Sequence, residues 1–323
     1  MNTLFSLMQF RTEFNLPPSE IKMAHDHKIM TVGSCFALSI GNKLKNAGFN
    51  VSINPSGILF NPDSIKDCIG SIVSKKIFRS EDFFFHNGKY SSFRLHSDYS
   101  GENEKEVLEK INASVEQAHR FIREAGFLFV TLGSAWVYEH ISTGKIVANC
   151  HKVPGSEFRK KKMGINDIIS DFSYVISHLK NINPGIKIIF TISPVRHIRD
   201  GFVENQWSKS TLNVAVHELL RRYDDVYYFP AYEFVIDDLR DYRFFEKDMV
   251  HPNDMAVDYV WEKFKQHYFT SDTIKLSEEV EQLNRNLMHR PFLSESEAYK
   301  AFVSKNEKEL SRLKKLLPHL QMN

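Results

Sequence analysis

Two uninterrupted apolar runs constrain this chain most: GFLFVTL at residues 126–132 and KIIFTI at residues 187–192. Neither shows the strict apolar–polar alternation of a strand with one wet face. Each reads as a strand buried on both sides, the pattern of a parallel sheet covered by helices. Residues 29–32, 50–53 and 226–230 read as three further core strands. Helical patterns fall between and after them, at residues 36–47, 61–75, 103–125, 165–181, 208–223 and 256–268. In the first of these, Phe36, Ile40, Leu44 and Ala47 share one face, and Gly48 is the stop. About five parallel strands with helical crossovers predict an α/β protein, a flavodoxin-like three-layer α/β/α sandwich. Two hairpins are expected as insertions, one around Asn87-Gly88 and one turning at Thr143-Gly144. Residues 277–317, rich in Glu, Lys and Leu, read as two helices packed on the domain, or as a partner surface.

The 323 residues suffice for one large domain, and 26 Phe can supply an aromatic core. The net charge of +2 gives no basic face for nucleic acid. The one local basic cluster, RKKK at residues 159–162, reads as a solvated loop. No apolar run approaches the roughly 20 residues that span a bilayer, so no membrane is expected as a partner. Residues 1–8 are partly apolar, but Arg11 and Glu13 follow without a small-residue cleavage site. Cys35, Cys68 and Cys150 are too few for a disulfide framework. They suit a reducing compartment, and the expected location is cytoplasmic.

In a sheet of this kind ligands bind beyond the carboxyl ends of the strands. That rule collects four loops: residues 33–36, 55–59, 133–136 and 193–200. The same edge can reach residues 248–253. Acyl transfer needs a nucleophile, a base, a group orienting the base, and donors for the oxyanion. Ser34 and Cys35 open a helix, where free N–H groups and the dipole favour negative charge. Either can be the nucleophile, and a thiol there beside a His is expected to ionise easily. His251 is the candidate base, and Asp248, three residues earlier, can hold its other ring nitrogen. The N–H groups of Cys35, Gly57 and Gly133 are candidate oxyanion donors.

Other residues have a catalytic and a structural reading side by side. Asn149 and His151 can contact substrate or close a polar turn. Cys150 and His151 could join Cys35 or His251 on a metal, but the ligand spacings of metal sites are lacking. No metal and no organic cofactor is expected. Arg196, beside His197, can hold an anionic group or pair with Asp200 or Glu204. Ser208 reads as a helix N-cap, with Asn205 and Lys209 beside it. His96 reads as a hydrogen-bonded structural residue, and Trp136, Tyr138 and Trp207 as core or pocket wall.

Gly33-Ser34-Cys35-Phe36-Ala37 resembles the signature of the GSCFA-domain proteins, a bacterial family related to the SGNH (GDSL-like) esterases and acyltransferases. Residues 131–136 (TLGSAW), 148–152 (ANCHK), 193–197 (SPVRH), 204–209 (ENQWSK) and 248–253 (DMVHPN) are similar to the same family, in the same order. The resemblance implies the SGNH fold and a modified SGNH site over residues 28–272, between an N-terminal extension (1–27) and a helical tail (273–323). Its register puts Cys35 on the nucleophile, with Ser34 as a turn residue. The opposite assignment has Ser34 attacking and Cys35 buried as a small hydrophobe. Asp248 and His251 fall on the acid and base, and Gly57 on the second block's oxyanion glycine. The third block, G-x-N-D in SGNH enzymes, falls on Gly133-Ser134-Ala135-Trp136 and lacks its Asn, for which Asn149 or Ser134 could substitute. The implied activity is that of an esterase or O-acyltransferase on a small-molecule or carbohydrate acyl ester. A catalytically inactive carbohydrate-binding or assembly protein is the other reading of the same crevice.

Overall fold

The computed structural model describes residues 11–288 and 296–320. The expectation for residues 1–8, and the middle of the expected tail, lie outside them. The two apolar runs form the centre of a five-stranded parallel sheet. Its strands are β1 (Lys28–Gly33), β2 (Asn50–Ile53), β5 (Ala125–Leu132), β9 (Lys187–Ile192) and β10 (Val226–Tyr228). Their order is β10-β9-β5-β1-β2, the flavodoxin-like order, so β1 and β5 meet where the chain reverses its direction of winding.

Strand periodicity sorts the side chains between two cores. Leu128 and Val130 face a cluster with α2 (Pro62–Val73), α3 (Glu104–Ile122), α4 (Ile165–Ile182) and α5 (Phe202–Arg222). Phe127 and Phe129 face the opposite cluster, with α1 (Cys35–Asn46) and α7 (Asp254–Tyr268). That second core is aromatic: Phe36, Phe229, Phe234, Trp261 and Phe264 join it. The sandwich therefore has three layers, as the sequence predicts.

A hairpin, β3 (Phe84–His86) and β4 (Lys89–Ser91), turns at Asn87-Gly88. The second insertion is larger than a hairpin. Strands β6 (Trp136–His140) and β7 (Lys145–Val147) are joined by β8 (Phe158–Lys162), which pairs with β6 and contains the RKKK run. This corrects the solvated loop. The run is a strand because each charge has a partner across or beside it. Arg159 and Lys161 bond Glu139 on β6, Lys160 pairs with Asp200, and Lys162 donates to Thr211 Oγ1 at 3.0 Å.

The region after β10 also holds more structure than a loop. A helical turn, α6 (Ala231–Glu233), widens into a π-helical stretch, Phe234–Leu239. Residues 11–27 run over α7, where Met23 bridges to Phe269 and Lys263 Nζ donates to Glu13 and Asn15. The helices α8 (Ser271–Met288) and α9 (Glu297–Leu316) share a small core of Val280, Leu283, Leu313, Leu317 and Leu320. They rest on the corner after α1, where His319 Nε2 meets Gly48 O at 3.0 Å and Asn284 donates to Asn46 O at 2.9 Å. No helix among the described residues is long and apolar enough to cross a membrane.

Candidate active site

The turn from β1 into α1 is shaped by one glycine. Gly33 has φ 140°, and a Cβ there would fall 2.2 Å from Thr131 O on β5. Its N–H donates to Asn54 Oδ1 at 2.9 Å, and Ser34 N donates to Thr131 O at 3.2 Å. Ser34 is the N-cap of α1: it is buried, and its Oγ accepts from Phe36 N at 3.3 Å. Cys35 follows it, half-buried on the first turn. Burial pushes the Cys35 thiol up. The N–H groups of Phe36 and Cys35 and the Lys209 charge draw it back only in part. The easily ionised thiol expected from the helix N-terminus is thus corrected: desolvation outweighs the N–H groups and the cation.

The candidate base and the group that would orient it stand on one loop. Asp248 Oδ2 lies 2.7 Å from His251 Nδ1, while Asp248 Oδ1 accepts from Val250 N at 2.9 Å and His251 N at 3.0 Å. The bonds to the His251 amide and ring, then to Val250, hold the Asp248 carboxyl down to about 2. Met249, between them, takes φ 59°, and the loop is tied to the sheet edge by Arg196 N to Val250 O at 3.3 Å. With Asp248 on Nδ1, the Nε2 lone pair of His251 is free to accept a proton. No hydrogen bond joins Cys35 Sγ to the His251 ring among the described residues.

His251 and Asp248 line a cleft of about 660 Å³, with Ser134, Trp136, Arg196 and His197 on its walls. His197 is pulled down to about 4 by burial and by the charges of Lys209 and His251. It is therefore neutral near pH 7. Its Nε2 and Arg196 Nε are buried without a protein partner. Of the four loops that the strand-end rule collects, residues 133–136 reach the cleft through Ser134 and Trp136, and residues 193–200 through 195–200; Cys35 and residues 55–59 are not among the residues that line it.

Two of the three expected oxyanion donors, Gly57 and Gly133, are already in use. Gly57 N donates to Asn54 O at 2.8 Å, and Gly133 N and Ser134 N both donate to Phe60 O, at 2.7 and 3.0 Å. Gly57 is a glycine for a steric reason, since at φ 80° a Cβ would come 2.3 Å from His96 Cβ. Asn149 and His151 are placed elsewhere. Asn149 Oδ1 accepts from His151 N at 2.8 Å, and His151 Nε2 bonds Ser92 O at 2.8 Å and Leu95 O at 3.2 Å. Together they staple the 92–100 loop. Among the described residues, no group of three or more His, Cys, Asp or Glu could hold a metal ion.

The GSCFA family profile matches residues 28–264, and that of the GSCFA domain protein, C-terminal domain, matches residues 280–323. The chain belongs to the GSCFA family. No curated protein matches it. Similar solved structures include a Clostridium thermocellum family 3 carbohydrate esterase, at 10% identity and TM-score 0.34, covering 78% of this chain and 97% of that one. A carbohydrate esterase family 3 structure from Talaromyces cellulolyticus shares 10% identity at TM-score 0.35, covering 78% and 99%. An acetyl xylan esterase from the rumen bacterium Butyrivibrio proteoclasticus shares 10% at TM-score 0.36, covering 82% and 65%.

In this GSCFA chain the ENQWSK block does more than open a helix. It lies inside α5, which begins at Phe202, so Ser208 is not an N-cap. Asn205, Ser208 and Lys209 are buried on the same face as Leu212. Asn205 Oδ1 accepts from His197 N at 2.9 Å, and Ser208 Oγ accepts from Ala135 N at 2.7 Å. Lys209 Nζ donates to Gly133 O and Ser193 O, each at 2.6 Å. The available signal was the spacing: polar residues at i, i+3 and i+4 in the apolar stripe of a helix. Asn54, with φ 42° and its Oδ1 accepting from Gly33 N, carries no comparable signal in the sequence.

Proposed function

We propose that this chain is an SGNH-like esterase or O-acyltransferase acting on a small-molecule or carbohydrate acyl ester through a covalent acyl-enzyme on Cys35. The observation that carries the reading is the Asp248–His251 pair, bonded at 2.7 Å on a cleft at the sheet edge where Cys35 opens α1. In this mechanism His251 Nε2 removes the thiol proton as Cys35 Sγ attacks the ester carbonyl. Asp248 stabilises the imidazolium that forms. The N–H of Cys35, on the first turn of α1, faces the developing oxyanion. His251 then protonates the leaving alcohol, and later activates water or an acceptor hydroxyl. The contact between Sγ and His251 closes on substrate binding, as such contacts commonly tighten in the Michaelis complex.

The cytoplasm is the proposed compartment, supported by three free cysteines. A second reading has a specific observation in its favour. The engaged amides of Gly57 and Gly133 suit a catalytically inactive carbohydrate-binding or assembly protein. Incubation with p-nitrophenyl acetate and with an acyl thioester separates the two. The enzyme reading expects turnover, a mass increase of one acyl group on Cys35, and loss of both in Cys35→Ala. Turnover undiminished in Cys35→Ala and His251→Ala would overturn it.

A further inference from the structure

We infer that Lys209 is the charge partner of Cys35: a buried cation held at the strand ends that lead to the thiol, whose missing counter-charge is the thiolate that Cys35 becomes as its proton passes to His251. This rests on Cys35 as the nucleophile. The placement follows from three neighbouring strand ends. Lys209 Nζ bonds the carbonyls of Gly133 and Ser193, the first residues beyond β5 and β9. The next strand of the sheet is β1, which ends at Gly33, and Ser34 N bonds Thr131 O near the end of β5. Cys35 follows at once. Lys209 is buried throughout its length, and no carboxylate lies within ion-pair distance of it among the described residues. An ammonium in such a place is costly unless something offsets its charge.

The groups that face it are few. Cys35 acts on it from α1, Arg196 from the loop after β9, and Tyr232, on α6, has its ring centroid 5.8 Å from Nζ. His197 feels the Lys209 charge from the same loop as Arg196. Arg196 and His197 carry no negative charge, and burial pushes the Tyr232 hydroxyl up. Of these groups only Cys35 gives up a proton in the proposed reaction and so becomes an anion. Burial draws Lys209 down to about 7, and the Cys35 charge pulls it back up, so each group favours the charged form of the other. During attack the thiol proton passes to His251 Nε2, the S–C bond forms, and the carbonyl π pair moves to oxygen. Lys209 transfers no proton. It acts through Cys35 and is a positioning residue.

Site-resolved alkylation of the full-length chain tests this without any ester. Iodoacetamide is applied across pH 6–10, and mass spectrometry separates Cys35 from Cys68 and Cys150. In Lys209→Gln the Cys35 rate is expected to fall about tenfold at each pH below the titration of the thiol, the equivalent of a rise of about one unit. Cys150 should not change. An unchanged Cys35 profile in folded Lys209→Gln overturns the inference. Should circular dichroism show that variant unfolded, the unsubstituted chain decides, because Lys209 is the cation that acts on the thiol. There the ratio of iodoacetate to iodoacetamide reactivity should be higher at Cys35 than at Cys150, and an equal or lower ratio overturns the inference. A Lys209-dependent profile without any acyl adduct would sink the acyl reading and leave this pairing standing. An adduct with no Lys209 dependence would do the reverse.

Discussion

At the scale of single residues, two neighbours in one motif have opposite duties. Ser34 spends its hydroxyl on the Phe36 amide, whereas Cys35 keeps a half-buried thiol with no side-chain partner among the described residues. Ser34→Ala should therefore cost about 1 kcal/mol of stability by urea denaturation, as cap losses do, and retain most of the activity. Cys35→Ala should do the opposite. Gly33→Ala should be far worse than either, because it combines φ 140° with a backbone oxygen at 2.2 Å. A loss of about 3 kcal/mol or more is expected. Gly88→Ala is the control: φ is 77° but no atom lies within 4 Å of the added Cβ, so about 1 kcal/mol is expected. His197 adds a pH dependence. Its folded value of about 4 is below the ordinary 6.5, so the unfolded chain binds the proton first. Stability is then fully present above pH 6.5 and is lost as pH falls towards 4. The loss is about 3 kcal/mol at most and should disappear in His197→Gln.

Elements carry the residues into register. The α7 N-cap, Asn253, accepts from Ala256 N at 3.2 Å and also donates to Arg243 O at 2.8 Å. One side chain thus starts the helix and pins the loop that bears Asp248 and His251. Asn253→Ala should cost about 1 kcal/mol in denaturation and reduce turnover more than that loss of stability explains. At this scale the sequence was legible where a local signal was strong. Asn61-Pro62 opens α2, Asn87-Gly88 turns a hairpin, and unbroken apolar runs became β5 and β9. It was illegible for β8, because four successive cations look solvated until Glu139 and Asp200 are brought against them. Lys209 was hidden for the same reason: its partners are two carbonyls 76 and 16 residues away.

Across the whole molecule, the tail has a core of its own, separate from the two cores that sandwich the sheet. Leu313 is fully buried in it. Leu313→Ala should cost about 2–5 kcal/mol locally. Hydrogen exchange should accelerate in α8 and α9 while β1, β5 and β9 keep their protection. Faster exchange throughout the sheet would show that the tail core and the sandwich unfold as one unit.

The sequence alone determined the three-layer class, the strand order's α/β logic and the family. Those follow from periodicity, turn residues and motif order, which are local properties of the chain. It also brought Asp248 and His251 together, because three residues cannot separate far. Tertiary structure decided the rest: that Ser34 is a cap, that burial raises the Cys35 thiol, that the Gly57 and Gly133 amides are occupied, and that a lysine lies beneath the site. Each depends on which distant backbone group fills a hydrogen bond or excludes water, and that is settled only when the strands stand side by side.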